Sequence, residues 1–157
     1  ERVWVIADLQ EKEISKNLTG EGCPSIIQLH GNESKKMCTR LKGKYPFTKL
    51  WKAFHIRSPA DLFSIQSYED SIDSILLDTW HLDTLGGTGN RIPIEWLCGI
   101  DFQKPWWLAG GVSAEWVTEL LSKVNPFGLD ASSKLEESPG IKDINKVKSL
   151  IKAIKFN

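Results

Sequence analysis

The apolar run Ile75-Leu76-Leu77 ends in Asp78-Thr79, and eight residues beyond Asp78 the glycine cluster Gly86-Gly87-Thr88-Gly89 begins. A short apolar run bounded by turn signals reads as a buried strand, and an acid where such a strand emerges stands where barrel and open α/β enzymes place catalytic groups. Asp78 is therefore the first candidate for proton transfer, set against the plainer role of an Asp that caps a loop or turn. A second cluster, Leu108-Ala109-Gly110-Gly111-Val112-Ser113, reads as a strand end, two glycines and a helix start. Glycine lets backbone N–H groups approach an anion, and a helix N-terminus adds a favourable dipole, so this is a candidate phosphate cradle as well as a tight strand-to-helix turn. The next strand ends in Leu129-Asp130-Ala131-Ser132-Ser133, which adds two hydroxyls and further backbone donors. In (β/α) barrels the loops after the last two strands recurrently form a phosphate site, so Gly110, Gly111, Ser132 and Ser133 together suggest a phosphorylated small molecule.

Two further positions carry polar chemistry. Gln28-Leu29-His30-Gly31 closes another strand, and an amide beside an imidazole could orient a hydroxylated substrate, although His30 also fits a structural loop histidine. Lys52, His55 and Arg57 gather around the following strand end, where a cation could face the mouth of a site or, for His55 and Arg57, simply be solvated. Pro139-Gly140-Ile141-Lys142-Asp143 reads as a turn into a capped last helix.

These residues need strands and helices to hold them, and the chain supplies both in alternation. Short apolar runs alternate with amphipathic stretches throughout, the pattern of βα units around a parallel sheet. Six strands are expected at Val3 to Ala7, Ser25 to Leu29, Lys49 to Ala53, Ser74 to Asp78, Trp106 to Ala109 and Gly128 to Ala131. Helices are expected near Leu9 to Leu18, Glu33 to Leu41, Ser58 to Gln66, Ile94 to Gly99, Ala114 to Lys123 and Asp143 to Ile154. The spacing suits a (β/α) barrel and equally a doubly wound open sheet. Nothing divides the 157 residues by composition, so a single domain is expected.

The balance of 20 basic and 20 acidic residues gives no electrostatic support for binding nucleic acid or a membrane surface. No apolar stretch approaches a membrane span, and the N-terminus carries no secretory pattern, so a cytoplasmic location is expected. Cys23, Cys38 and Cys98 are three widely spaced thiols, which fit neither a disulfide framework nor a zinc site.

Taken in order, the motifs resemble phosphoribosylanthranilate isomerase, a (β/α)8-barrel family of tryptophan biosynthesis. The matching residues are Gln28-Leu29-His30-Gly31-Asn32-Glu33, Leu76-Leu77-Asp78, Gly86-Gly87-Thr88-Gly89, Trp96, Leu108 to Val112, Asp130 to Ser133, Leu135-Glu136 and Pro139 to Asp143. Trp106-Trp107-Leu108-Ala109-Gly110-Gly111 is similar to cyanobacterial members. The resemblance implies a TIM barrel of which this chain carries the third to eighth βα units. It also implies an Amadori rearrangement of N-(5-phosphoribosyl)anthranilate without metal or cofactor. By that resemblance Asp78 is the general acid that protonates the departing ribose ring oxygen, with its pKa raised by burial or hydrogen bonding. Gln28 and His30 hold the opened sugar, Gly110, Gly111, Ser132 and Ser133 bind phosphate, and Gly87 and Gly89 contribute loop contacts.

Departures from the family pattern carry their own expectations. The family's base is a cysteine in a first-strand Cys-Gly motif, and Val3 to Ala7 aligns with the family's third strand, so the base and a second-strand arginine are missing from this sequence. Lys134 replaces a usual Gly, Asn90 a usual Lys and Asp8 a usual Asn, and the segment before Trp96 is two residues longer. Six strands of an eight-stranded barrel leave two open edges, which implies association through them. The leading reading is an isomerase whose sequence here lacks its N-terminal quarter. A noncatalytic barrel remnant that binds a phosphorylated ligand or a partner chain is the alternative. A different phosphate-binding barrel isomerase or epimerase would not be expected to carry these motifs in this order.

Overall fold

The computed structural model describes residues 1–18, 22–79 and 91–155. Its main sheet has six strands: β1 (Val3–Ile6), β2 (Ile26–Leu29), β3 (Lys49–Ile56), β4 (Ser74–Thr79), β5 (Trp106–Leu108) and β6 (Gly128–Leu129). They lie in the hydrogen-bonded order β1-β2-β3-β4-β5-β6, with parallel pairing in register at Val3↔Ile26, Ile26↔Lys49 and Trp107↔Gly128. Every strand neighbours the next in sequence. That order removes the ambiguity left by periodicity, because a doubly wound sheet reverses its order at a switch point.

Between the strands run α1 (Glu11–Asn17), α2 (Lys35–Lys44), α3 (Pro59–Ile65), α4 (Ile94–Leu97) and α5 (Ala114–Lys123), and α6 (Ile144–Lys155) follows the last strand. The bounds of α5 coincide with the sequence expectation, with Ser113 at the N-cap position and Trp116, Val117 and Leu120 forming the buried stripe. Elsewhere the structure differs in instructive ways. Strand β3 continues three residues past Ala53, which places His55 within the strand. Helix α2 starts at Lys35 rather than Glu33, because the Ser34 hydroxyl caps it by accepting the Met37 N–H at 3.3 Å. Glu33 is thereby left to other partners. Cys98 is the C-cap of α4 rather than a helical residue. A 3-10 turn, Gln66–Ser71, extends α3, and Glu136–Ser138 and Ile141–Lys142 form an antiparallel two-stranded ribbon, β7 and β8, around the expected Pro139-Gly140 turn.

Two compact units make up the chain. The first comprises Glu1–Phe54, Ala60–Leu76 and Phe102–Pro105, and the second His55–Pro59, Leu77–Asp101 and Trp106–Asn157. In the first unit the core gathers Ile26, Ile27, Leu29, Leu50, Ile75 and Leu76 from the strands with Ile14, Leu41 and Ile65 from the helices. All four residues of β2 are buried, as expected for a parallel strand covered on both faces. In the second unit Leu77, Leu97, Leu108, Val117 and Leu120 are buried, and α5 lies against α6.

Candidate active site

Asp78 is the penultimate residue of β4. The preceding Ile75, Leu76 and Leu77 are at most 1% exposed, which fixes the strand, and Asp78 emerges from it half-buried. Its Oδ1 accepts the Thr79 N–H at 2.8 Å, a bond that restrains the carboxylate. A ring nitrogen of His55, at the end of β3, lies within 4.8 Å of a carboxylate oxygen of Asp78. Half-buried in a strand, His55 is therefore not the solvated loop residue that its neighbourhood in sequence also allowed.

The glycine loop follows β5. The Ala109 N–H donates to the Leu77 carbonyl at 2.8 Å, which continues the ladder, and the chain then turns through Gly110 at φ 83° and Gly111 at φ 68°. Both lie in the left-handed region that side chains disfavour. At Gly110 a Cβ would also come within 2.5 Å of Thr79 Oγ1, so glycine lets this loop sit against the end of β4. Among the described residues, the N–H groups of Gly110, Gly111 and Val112 meet no acceptor. Three adjacent backbone donors leading into α5 are thus left open.

Pairing of β5 with β6 brings the second loop beside the first, and the Asp130 N–H donates to the Leu108 carbonyl at 2.8 Å. Ser132 and Ser133 are exposed there. Lys142 Nζ donates to Ser132 Oγ at 3.0 Å and to its carbonyl at 3.1 Å, and pairs with Glu136 at 2.6 Å. This lysine was legible in the sequence only as part of the Pro-Gly-Ile-Lys-Asp turn. Arg91, which no sequence signal singled out, donates from Nε to the Gly111 carbonyl at 3.0 Å and from a terminal nitrogen to Ser113 Oγ at 3.1 Å. Behind this loop Arg91, Ser113, Glu115, Lys134 and Lys146 line a cavity of about 350 Å³. The Ser113 hydroxyl bonded to Glu115, its own backbone N–H and the nearby charges of Arg91 and Lys146 hold the Glu115 carboxyl below its usual range.

In the first unit, Gln28 is 7% exposed and its amide nitrogen donates to His30 Nδ1 at 3.1 Å. An amide nitrogen only donates, so a neutral His30 carries its proton on Nε2 and presents it as a donor. The His30 N–H donates to the Ile6 carbonyl at 2.7 Å. Lys52 does not face a site mouth. It is buried, with Nζ 3.3 Å from Glu33, and donates to the carbonyls of Gly31 and Ala53 at 2.7 Å each. Glu33 in turn accepts the N–H groups of Asp8 at 2.9 Å and Gly31 at 3.1 Å. The pair braces the turn that ends β2.

Cys23 is half-buried, Cys98 exposed, and Cys38 buried with its thiol pushed up to about 11, chiefly by desolvation. None stands at the C-terminal end of a strand. Gly87, Gly89 and Asn90 lie outside the described residues. No helix among the described residues is long and apolar enough to cross a membrane.

A parallel sheet in consecutive order, with an acid at one strand end and open amides at the next, is the arrangement of (β/α)8-barrel enzymes that act on phosphorylated small molecules. The model of the family N-(5'-phosphoribosyl)anthranilate (PRA) isomerase matches residues 2–153. N-(5'-phosphoribosyl)anthranilate isomerase of Synechococcus elongatus is 40% identical over 156 residues, covering 99% of this chain and 71% of that relative. The crystal structure of the Thermotoga maritima isomerase superposes with a TM-score of 0.82 at 25% identity, covering 99% of this chain and 73% of that one. An isomerase structure in complex with reduced 1-(o-carboxyphenylamino)-1-deoxyribulose 5-phosphate gives 0.74 at 25% identity, over 99% of this chain and 71% of that one. The chain belongs to the phosphoribosylanthranilate isomerase family, the TIM-barrel isomerases of tryptophan biosynthesis.

Proposed function

We propose that this chain acts on N-(5-phosphoribosyl)anthranilate, with Asp78 as the general acid of its Amadori rearrangement. Asp78 protonates the ribose ring oxygen as the C1–oxygen bond breaks, and removal of the C2 proton by a base then carries the opened imine toward 1-(2-carboxyphenylamino)-1-deoxyribulose 5-phosphate. The reaction moves protons within one molecule and consumes no oxidant or reductant. The observation that carries this reading is the half-buried carboxylate at the end of β4, one strand from the open amides of Gly110, Gly111 and Val112. Those amides, with Ser132 and Ser133, hold the substrate phosphate, and Gln28 with His30 Nε2–H donates to the sugar hydroxyls. Gly87 and Gly89 add contacts from their loop.

The base is none of the three cysteines, since Cys38 is buried as a thiol and neither Cys23 nor Cys98 stands at the C-terminal end of a strand. That placement also favours a second reading for residues 1–157 taken alone, namely binding of a phosphorylated ligand without turnover. The test is an assay of the purified chain with and without a Cys-Gly first-strand segment and second βα unit from the Synechococcus elongatus relative fused ahead of Glu1. Turnover only in the fused form supports the division of acid and base. Turnover by the chain alone places the base within it and overturns the assignment.

The 157 residues are proposed to form one barrel domain, the third to eighth βα units, because β3 and β4 each run through both compact units. Self-association through β1 is supported by its position at the sheet edge with Val3 and Val5 43% and 55% exposed. A cytoplasmic location and the absence of nucleic-acid partners agree with the free thiols and the zero net charge.

A further inference from the structure

We propose that Arg91 is a positioning residue for the phosphate loop, acting by holding the Gly111 peptide so that the loop's donors stay turned toward the anion. The inference rests on the reading of Gly110 and Gly111 as phosphate ligands and assigns the loop a brace.

The Gly110–Gly111 turn has two consecutive residues in the left-handed region and no backbone ladder of its own past Ala109. Glycines give the loop its conformation and also leave it conformationally free, so something outside it has to select one orientation of each peptide. A trans peptide sets its C=O and the following N–H in opposite directions. Holding the Gly111 carbonyl on Arg91 Nε at 3.0 Å therefore turns the Val112 N–H to the opposite face of the loop. The same guanidinium donates to Ser113 Oγ at 3.1 Å, which ties the N-cap of α5 to the loop. Its Cζ lies 4.8 Å from the centroid of the Trp116 ring on the first turn of α5, a cation–π contact that restricts its rotamers. Arg91 thus spans loop, cap and helix with one rigid fork.

Lysine cannot reproduce this brace. Its ammonium is a single charged point on a flexible stem, whereas the guanidinium offers separate donors in fixed directions to Gly111 and Ser113. The cavity behind the loop already contains Lys134 and Lys146, so positive charge alone is not what Arg91 uniquely supplies.

The test is a ¹H–¹⁵N titration of the 157-residue chain with inorganic phosphate, for the wild type, R91A, R91K and G110A, each checked for folding by circular dichroism. In the wild type, phosphate should shift the amides of Gly110, Gly111 and Val112. In R91A the dissociation constant should rise about tenfold, the loss expected when a charge-assisted bond that orders the donors is removed. The shifts at Gly110 to Val112 should shrink more than those at Ser132 and Ser133. R91K should recover only a minor part of the affinity. Wild-type affinity in R91A overturns the proposal, and full recovery in R91K does so too, by showing that charge alone suffices. Loss of binding in G110A together with retention in R91A would remove the brace and leave the phosphate site standing. Absence of these amide shifts in the wild type would remove the site, and the brace with it.

Discussion

Two strand ends of this molecule hold their functional groups by opposite means. After β2, the turn Gly31–Glu33 is closed by buried charge, with the side chains of Glu33 and Lys52 1% and 5% exposed and their oxygens and nitrogen also bonded to backbone groups of Asp8, Gly31 and Ala53. After β5, the Gly110–Gly111 loop has no buried charge among the described residues, its amide donors are open, and its proposed brace, Arg91, is exposed. The first arrangement orders His30 before any ligand arrives. The second leaves backbone donors whose natural partner is an anion. Substitutions in the first should therefore act on stability, and substitutions in the second on binding.

The largest effect expected on stability is at the buried pair. Glu33→Gln or Lys52→Met removes one partner and leaves the other polar or charged in the interior, which costs about 3 to 5 kcal/mol. Urea denaturation should show the drop, and a change below about 1 kcal/mol would mean that the pair is not what holds this turn. Gly110→Ala comes next. Its positive φ and the approach to Thr79 imply about 1 to 3 kcal/mol of strain, and the informative result is a loss of phosphate binding larger than the loss of stability. Equal phosphate affinity in wild type and Gly110→Ala would erase the contrast between the two ends. Asp8→Asn should be nearly silent, within about 1 kcal/mol, because Asn also tolerates the left-handed region and its side-chain oxygen still accepts the Asn32 N–H, now 2.7 Å away. The smallest perturbation is chemical: at neutral pH a thiol reagent should modify exposed Cys98 promptly and reach buried Cys38 only on unfolding. Prompt modification of Cys38 would show the first unit opening locally.

The sequence was most informative where one physical signal dominated. The apolar runs of β2 and β4 located those strands to within about two residues, and Ser113 followed by the Trp116, Val117 and Leu120 stripe located α5. It was less informative where long-range contacts decide. Phe54-His55-Ile56 carries no clean alternation, so the extension of β3 that sets His55 near Asp78 depends on pairing with neighbouring strands. Glu136-Glu137-Ser138 is polar throughout, and its pairing with Ile141-Lys142 is held by Lys142 and the Pro139-Gly140 turn rather than by burial. Lys52 reads as a surface cation until Glu33, nineteen residues earlier, is seen to bury it. Arg91 shows no periodicity or motif of its own, and its role depends on a carbonyl twenty residues away.

Asp78 is proposed to supply the acid of the isomerisation. The most direct test compares wild type and Asp78→Asn in the chain carrying the fused Cys-Gly segment, measuring turnover of N-(5-phosphoribosyl)anthranilate alongside phosphate affinity and melting temperature. In Asp78→Asn kcat should fall by about 10² to 10⁴ with phosphate affinity and stability unchanged. Undiminished kcat in Asp78→Asn would contradict that role.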